Sequence, residues 1–368
     1  MSNTPAQPTP LSQDSTDFAE RLFNDVLGAF NIFAVHIGDA LGFYRQLATD
    51  GGLTSAELAE RSGTQERYAR EWLEQQAAAC VLDVEESRNG NAERRYSLSP
   101  GRAEVLTDRD SLNYMAPLAQ LVAGSVYPLE ALLEAYRNGG GVPFSQYGVN
   151  LREGQASMNR AMFLQQLGDE WLPAVPDVHA RLQANPPARV ADIGCGAGWS
   201  CIGIAQSYPV VKVDGYDLDE ASIELANTNI ENAGLGKRVH AWLRDASDIE
   251  LHGRYDLVVA FECLHDMSDP VKALQTMRLL AGEKGSVIVM DERSLEEFRP
   301  CAGDLEQLLY GFSILHCLPA GMSDQPSAGT GTVLRPATME RYAREAGFSR
   351  VEILPIDHFF FRFYRLVR

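Results

Sequence analysis

The chain has 368 residues, 45% of them hydrophobic, and a formal net charge of −18. That length predicts two domains rather than one core, and the excess of carboxylates argues against nucleic acid or anionic lipid as a chain-wide partner. No apolar run approaches the ~20 residues that cross a bilayer, and the six cysteines are scattered without a CxxC pair, a usage that predicts reduced thiols and a cytoplasmic location.

Residues 1–17, MSNTPAQPTPLSQDSTD, carry neither the basic nor the apolar part of a signal peptide and read as a disordered tail. From Phe18 apolar residues recur at helical spacing. Phe23, Phe30 and Phe33 on that helix predict either intramolecular core or the seam of a homodimer. The stretch that follows predicts a helix-turn-helix: Thr54 or Ser55 caps one helix, Gly63 ends it, and Thr64 caps the next. Asn89-Gly90 then marks a hairpin turn. Residues 18–110 therefore read as a winged helix suited to dimerisation. Its second helix sets Glu66, Glu71 and Glu74 against Arg67 and Arg70, leaving Arg88, Arg94 and Arg95 as the local basic cluster, a weak footprint for DNA.

Residues 111–185 read as a helical linker and pocket-forming region, interrupted by the loop signal RNGGGVPFSQYG and closed by QANPP. From 186 to 368 the texture changes. RVADIGCG, VKVDGYDL, VHAWLRDA, YDLVVAFE and SVIVMDER read as strands with helices between them, and HFFFRFYRLVR as the last strands. The fold class is α/β, a doubly wound Rossmann-like parallel sheet behind an all-helical, winged-helix domain. Ligands of such sheets bind beyond the carboxyl ends of the strands.

The chemistry-bearing residues fall at those ends. Gly194, Gly196 and Gly198 follow the first strand and permit a tight turn against a ligand. Asp217 ends the second strand, 19 residues after Gly198, where a carboxylate accepts ribose hydroxyls. Leu218 beside it offers a face to an adenine, and Asp245, ending the third strand with Ala246 next to it, offers an acceptor for the adenine amine. The loop lacks the third-glycine spacing of a dinucleotide site and the Lys of a phosphate-binding loop. Instead, VADIGCGAGWS resembles the first motif of the class I S-adenosylmethionine (SAM) methyltransferases, with Asp192 as its first-strand acid.

That resemblance implies SAM as cofactor, with Asp192 organising the methionine end and Phe261 among the cofactor contacts. A winged helix ahead of such a domain is similar to the small-molecule O-methyltransferases, which implies a homodimer held through the N-terminal domain. MNRAM is similar to that family's pocket helix and implies Asn159 and Met162 on the substrate side; their alternative is plain helix packing. CLHDMSD resembles the family's LHDWSD, in which the His is the general base. His265 is thereby implied to take a proton from a hydroxylated, aromatic small molecule, with Asp291 rather than Asp266 orienting its ring.

The pattern departs from the family in having Met267 for Trp and a Gly/Ser-rich segment near the carboxyl end. Glu262 either faces the methyl donor or caps a helix. His316, Cys317 and His358 lack metal-ligand spacing, so no metal is expected. Two other readings stay open: a C- or N-methyltransferase in which His265 only orients substrate, and a SAM-responsive winged-helix regulator.

Overall fold

The computed structural model describes residues 13–49, 51–85, 94–247 and 251–368. Of the expected tail, residues 1–12 lie outside the described residues, as do Arg88 and the Asn89-Gly90 turn. Residues 13–17 are helical rather than tail: helix α1 spans Gln13–Ala40, with Asp14 in its first turn, where a carboxylate favours the helix dipole. Gln13 donates to Asp17 one turn on, at 2.6 Å.

The chain divides into two units, Met1–Gln120 and Leu121–Arg368. In the first, α2 (Phe43–Thr49), α3 (Ser55–Ser62) and α4 (Glu66–Ala78) precede the β1 (Asp83–Glu85) and β2 (Arg95–Ser97) pair and α5 (Pro100–Thr107). Phe43, Tyr44, Leu58, Trp72, Leu73 and Tyr96 form its core. Thr54 caps α3 in a reciprocal capping box with Glu57, and Gly63 ends it at φ 68°. The cap of α4 differs from expectation. Gln65 occupies the N-cap without a side-chain bond, because Thr64 Oγ1 pairs with Ser62 Oγ at 2.9 Å. The arginines of this motif are ion-paired: Arg67 with Glu71, Arg70 with Glu66, Arg94 with Glu74 and Arg95 with Glu57.

Only Gly38 of α1 is buried, lying so close to Trp72 that a Cβ would sit 2.2 Å from its ring. The intramolecular-core reading of the aromatic stripe does not hold within this chain: Phe23 and Phe30 are each 63% exposed.

After α6 (Ala116–Ser125), the second unit's α7 (Leu129–Asn138), α8 (Gly148–Gln165) and α9 (Pro176–Gln183) lead into the sheet. The strands are β3 (Arg189–Ile193), β4 (Lys212–Asp217), β5 (Val239–Leu243), β6 (Leu257–Phe261), β7 (Ser286–Glu292), β8 (Arg350–Ile353) and β9 (Phe361–Val367), in the order β5-β4-β3-β6-β7-β9-β8. The first five run parallel; β9 pairs antiparallel with β7 and β8 antiparallel with β9, so the sheet is mixed rather than wholly parallel. Strand β6 shows why it is central. Leu257, Val259 and Phe261 enter one core layer while Val258 and Ala260 enter the opposite one, so both faces are buried. The order places a switch point beside β3, where the chain turns from β4 and β5 on one side to β6 and β7 on the other. Among the described residues no single helix is long and apolar enough to cross a membrane.

Candidate active site

The turn after β3 is built by three glycines with positive φ, Gly194, Gly196 and Gly198. Two of them differ in what surrounds them. At Gly194 a Cβ would meet Cys263 Sγ at 2.6 Å, so this glycine lets the turn pack on the segment after β6. At Gly196 a Cβ would meet nothing within 4 Å, so this backbone faces open space at the strand ends. Gly198 starts helix α10 (Trp199–Ser207), which has no side-chain cap.

Asp192 lies beneath the turn, 1% exposed. Its Oδ2 accepts from Ser200 Oγ and from Cys201 Sγ, while its Oδ1 has no hydrogen-bond partner. Burial raises its carboxyl to about 6, against the bonds from Ser200 and Cys201. Asp217, at the end of β4, accepts from the Gly196 N–H and the Asp219 N–H, each at 2.9 Å. Burial raises its value too. Each of its oxygens retains a lone pair for another donor. Leu218 next to it is 67% exposed. Asp245 stands two residues beyond the end of β5 rather than at it, is exposed, and accepts from the Ser247 N–H at 2.8 Å. Ala246 is half-buried against the core.

Helix α8 is pinned over these strand ends. Arg152 pairs with Asp219 at 2.7 Å, the Arg160 guanidinium covers the Trp199 ring, and Gly203 of α10 packs where a Cβ would strike the Phe163 carbonyl. From Gln155 to Arg160 every residue is half-buried, so α8 presents neither a dry face nor a wet one there. Asn159 and Gln155, one turn apart, both reach Glu262: Asn159 Nδ2 donates to Oε2 at 2.6 Å and Gln155 Nε2 to Oε1 at 3.3 Å. Met162 packs against the core, as do Phe261 and Phe163, whose rings stack with centroids 5.7 Å apart. The Phe261 side chain is thus core, and only its backbone reaches the strand end.

His265, 2% exposed, sits on a short turn of helix, Leu264–Asp266. Its Nδ1 lies 2.8 Å from Asp291 Oδ1 and 3.0 Å from Glu292 Oε2, and its Nε2 lies 3.2 Å from Asp266 Oδ1. Burial alone would push the His265 value down, but Asp266, Asp291 and Glu292 outweigh it and hold the ring well above an ordinary histidine. Reciprocally, Asp266 is held at about 2: burial raises it, and His265 more than reverses that. Both ring nitrogens thus face carboxyl groups, and burial in turn raises the Glu292 carboxyl well above an ordinary glutamate; an imidazole accepts a substrate proton only through a nitrogen whose lone pair is free. His265, Asp266 and Cys317 form one group of potential metal ligands, and His265, Asp291 and Glu292 another. His316 packs edge-on against Tyr147, centroids 4.7 Å apart, and burial lowers its value.

The structure thus gathers Asp192, Gly194, Gly196, Gly198, Asp217 and Leu218 at one end of the sheet, and His265 with Asp291 at the neighbouring strand ends. The profile of the family described as Methyltransferase domain matches residues 185–325, and that of the Rv2258c-like winged HTH domain matches residues 29–108. The chain carries a methyltransferase domain behind a winged helix-turn-helix domain. Among curated proteins, this chain is 39% identical over 89 residues to the tRNA1(Val) (adenine(37)-N6)-methyltransferases of Yersinia pestis (strain Pestoides F) and Yersinia pseudotuberculosis (serotype O:1b), 23% of this chain and 33% of each relative. It spans about a third of the length of these relatives.

Solved structures share its architecture throughout. Mitomycin 7-O-methyltransferase has a TM-score of 0.69 at 21% identity, covering 97% of this chain and 100% of that one. Human N-acetylserotonin methyltransferase in complex with SAM has 0.69 at 19%, covering 98% and 100%. An O-methyltransferase-like protein of Nostoc punctiforme has 0.66 at 20%, covering 99% and 100%. At these identities the likeness is one of fold.

Sequence reading left the weight of Glu262, Gln155, Arg152 and Glu292 unassigned. The signal for Gln155 was there: it shares a helix face with Asn159 at i,i+4 spacing. Arg152 and Glu292 find their partners only through tertiary packing.

Proposed function

We propose that the protein transfers a methyl group from SAM to the hydroxyl of a small aromatic molecule. The observation that carries this reading is the buried Asp192 carboxylate with one oxygen unpartnered, set under a glycine turn that opens at Gly196. A buried carboxylate oxygen left without a donor is costly unless a ligand supplies one. An ammonium group does so here, and the residues fit SAM. Asp192 and the Gly194–Gly198 turn hold its methionine end, Asp217 its ribose hydroxyls, and Leu218, Asp245 and Ala246 its adenine, with the Phe261 backbone beside them. SAM supplies a methyl group made electrophilic by the sulfonium. The half-buried stretch of α8 with Asn159 and Met162 walls the acceptor side. His265, fixed by Asp291, places a positive charge at the end of β6 and β7, where it stabilises oxygen as it becomes negative.

The protein works as a homodimer in a reducing cytoplasm, without nucleic acid or membrane as partner. The exposed α1 stripe supports the dimer and the six free thiols support the compartment. The ion-paired arginines of the winged helix support a small-molecule acceptor over DNA.

The test is twofold. S-adenosylhomocysteine should raise the melting temperature, and one compound in a panel of phenols should gain the mass of one methyl group when SAM is present. Absence of stabilisation by S-adenosylhomocysteine would overturn the cofactor assignment. Methylation confined to carbon or nitrogen acceptors would overturn the hydroxyl.

A further inference from the structure

Both ring nitrogens of His265 are turned toward carboxyl groups, which leaves the acceptor's proton to another group. We infer that Glu262 is that group: its carboxylate is the general base of the reaction, and Asn159 and Gln155 hold it in place. The inference rests on the proposed methyl transfer and deepens it.

Three geometric observations support Glu262. First, it is the residue immediately after β6, at the end of the sheet where the glycine turn opens. Secondly, its backbone is in the left-handed region, φ 56°. That conformation disfavours a residue with a Cβ, so the surrounding structure imposes it, and such strain gathers where a side chain must be aimed. Thirdly, the carboxylate is half-buried and is gripped by two neutral amides. Two amide donors fix its position without neutralising it. An arginine in their place would quench its basicity. His265 contrasts on each point: it is 2% exposed and ringed by Asp266, Asp291 and Glu292.

The electrostatics agree with the geometry. Burial raises the Glu262 carboxyl to about 7; His265 and the amides of Asn159 and Gln155 oppose the rise, and Asp291 adds to it. A carboxylate tuned near neutrality is well matched to removing a proton at that pH. In the step, the acceptor O–H bond breaks and its proton bonds to a Glu262 carboxylate oxygen. The freed oxygen pair forms the bond to the methyl carbon, and the carbon–sulfur pair stays on sulfur. The proton later leaves Glu262 for solvent.

The alternative is that Glu262 merely ties α8 to the sheet. Glu262→Gln preserves the side-chain length and the bond from Asn159, so a purely structural role predicts little change. We expect kcat for the methylated phenol to fall ~100-fold or more, with S-adenosylhomocysteine affinity and melting temperature unchanged. In wild type, kcat/KM should rise with pH through about 7, as Glu262 ionises, and then level off. This limb should vanish in E262Q. In Asn159→Ala, which removes a bond to the charged form, it should move to higher pH. A second readout needs no turnover: infrared difference titration of the ligand-free protein should show a carboxyl ionising near neutrality in wild type and missing from E262Q. Undiminished kcat in E262Q, or an identical infrared titration in both proteins, would overturn the inference. Failure of wild type to bind S-adenosylhomocysteine would instead strike the cofactor assignment and leave the infrared result to judge Glu262.

Discussion

Replacing His265 by Gln tests the charge arrangement at the strand ends. The substitution keeps a polar side chain of similar reach but removes the ring that faces Asp266, Asp291 and Glu292. For Asp266 the magnitude follows from its value, lowered from an ordinary 3.8 to about 2. At ~1.4 kcal/mol per unit this amounts to about 2–3 kcal/mol of folding stability. Leaving Asp291 without its ring partner brings the total into the ~3–5 kcal/mol range seen when one partner of a buried pair is deleted.

The sign of the pH dependence follows from the direction of the shift. A carboxyl whose folded value is depressed contributes stability above its unfolded value and loses it as pH falls through the folded one. The Asp266 part of the deficit should therefore be full at about pH 6 and fall to roughly half by about pH 3. Urea denaturation of ligand-free wild type and H265Q at both pH values measures it. A deficit below about 1 kcal/mol, or one that does not shrink on acidification, would refute the imidazolium reading and return His265 to the role of neutral base.

Other expectations follow from the same geometry. Asp192 has its value raised to about 6, so the ligand-free protein should lose stability as pH rises from about 4 to about 6; D192N should flatten that slope, in melting curves, and abolish S-adenosylhomocysteine binding. Gly194→Ala and Gly196→Ala share positive φ but not surroundings. G194A drives a Cβ into Cys263 and should destabilise by about 3 kcal/mol or more, whereas G196A should cost about 1–2 kcal/mol yet lose ligand-induced stabilisation, both measured by denaturation with and without S-adenosylhomocysteine. Phe23→Glu with Phe30→Glu should convert a dimer to a monomer in light scattering; a single species of monomer mass in wild type would refute the seam.

Much of the cofactor end was legible from the linear chain because it is local chemistry. A strand, a glycine turn and a helix start occupy Arg189–Ser207, and Asp217 follows at the end of the next strand. Periodicity identified β3 to β7 and the aromatic carboxyl-terminal β9, but it missed β8, Arg350–Ile353, and placed all the last strands in HFFFRFYRLVR. It did not reveal that β8 and β9 run antiparallel to their neighbours, since side-chain alternation is the same in either direction.

The acid–base end was less legible, for a different reason. A motif names His265 but carries no information on its charge. That depends on Asp291 and Glu292 at the end of another strand, on Asp266 turning back toward Nε2, and on the exclusion of water. Likewise, Glu262 in the chain is one acid among fifty acidic residues. It becomes distinctive only when β6 ends beneath α8 and sets it against Gln155 and Asn159. The sequence by itself determined the five parallel strands, the glycine turn and the acids that follow them, because those are encoded within a few residues of one another. Tertiary structure decided which neighbours each acid–base group has, because protonation is set by burial and by side chains that lie up to 107 residues away along the chain.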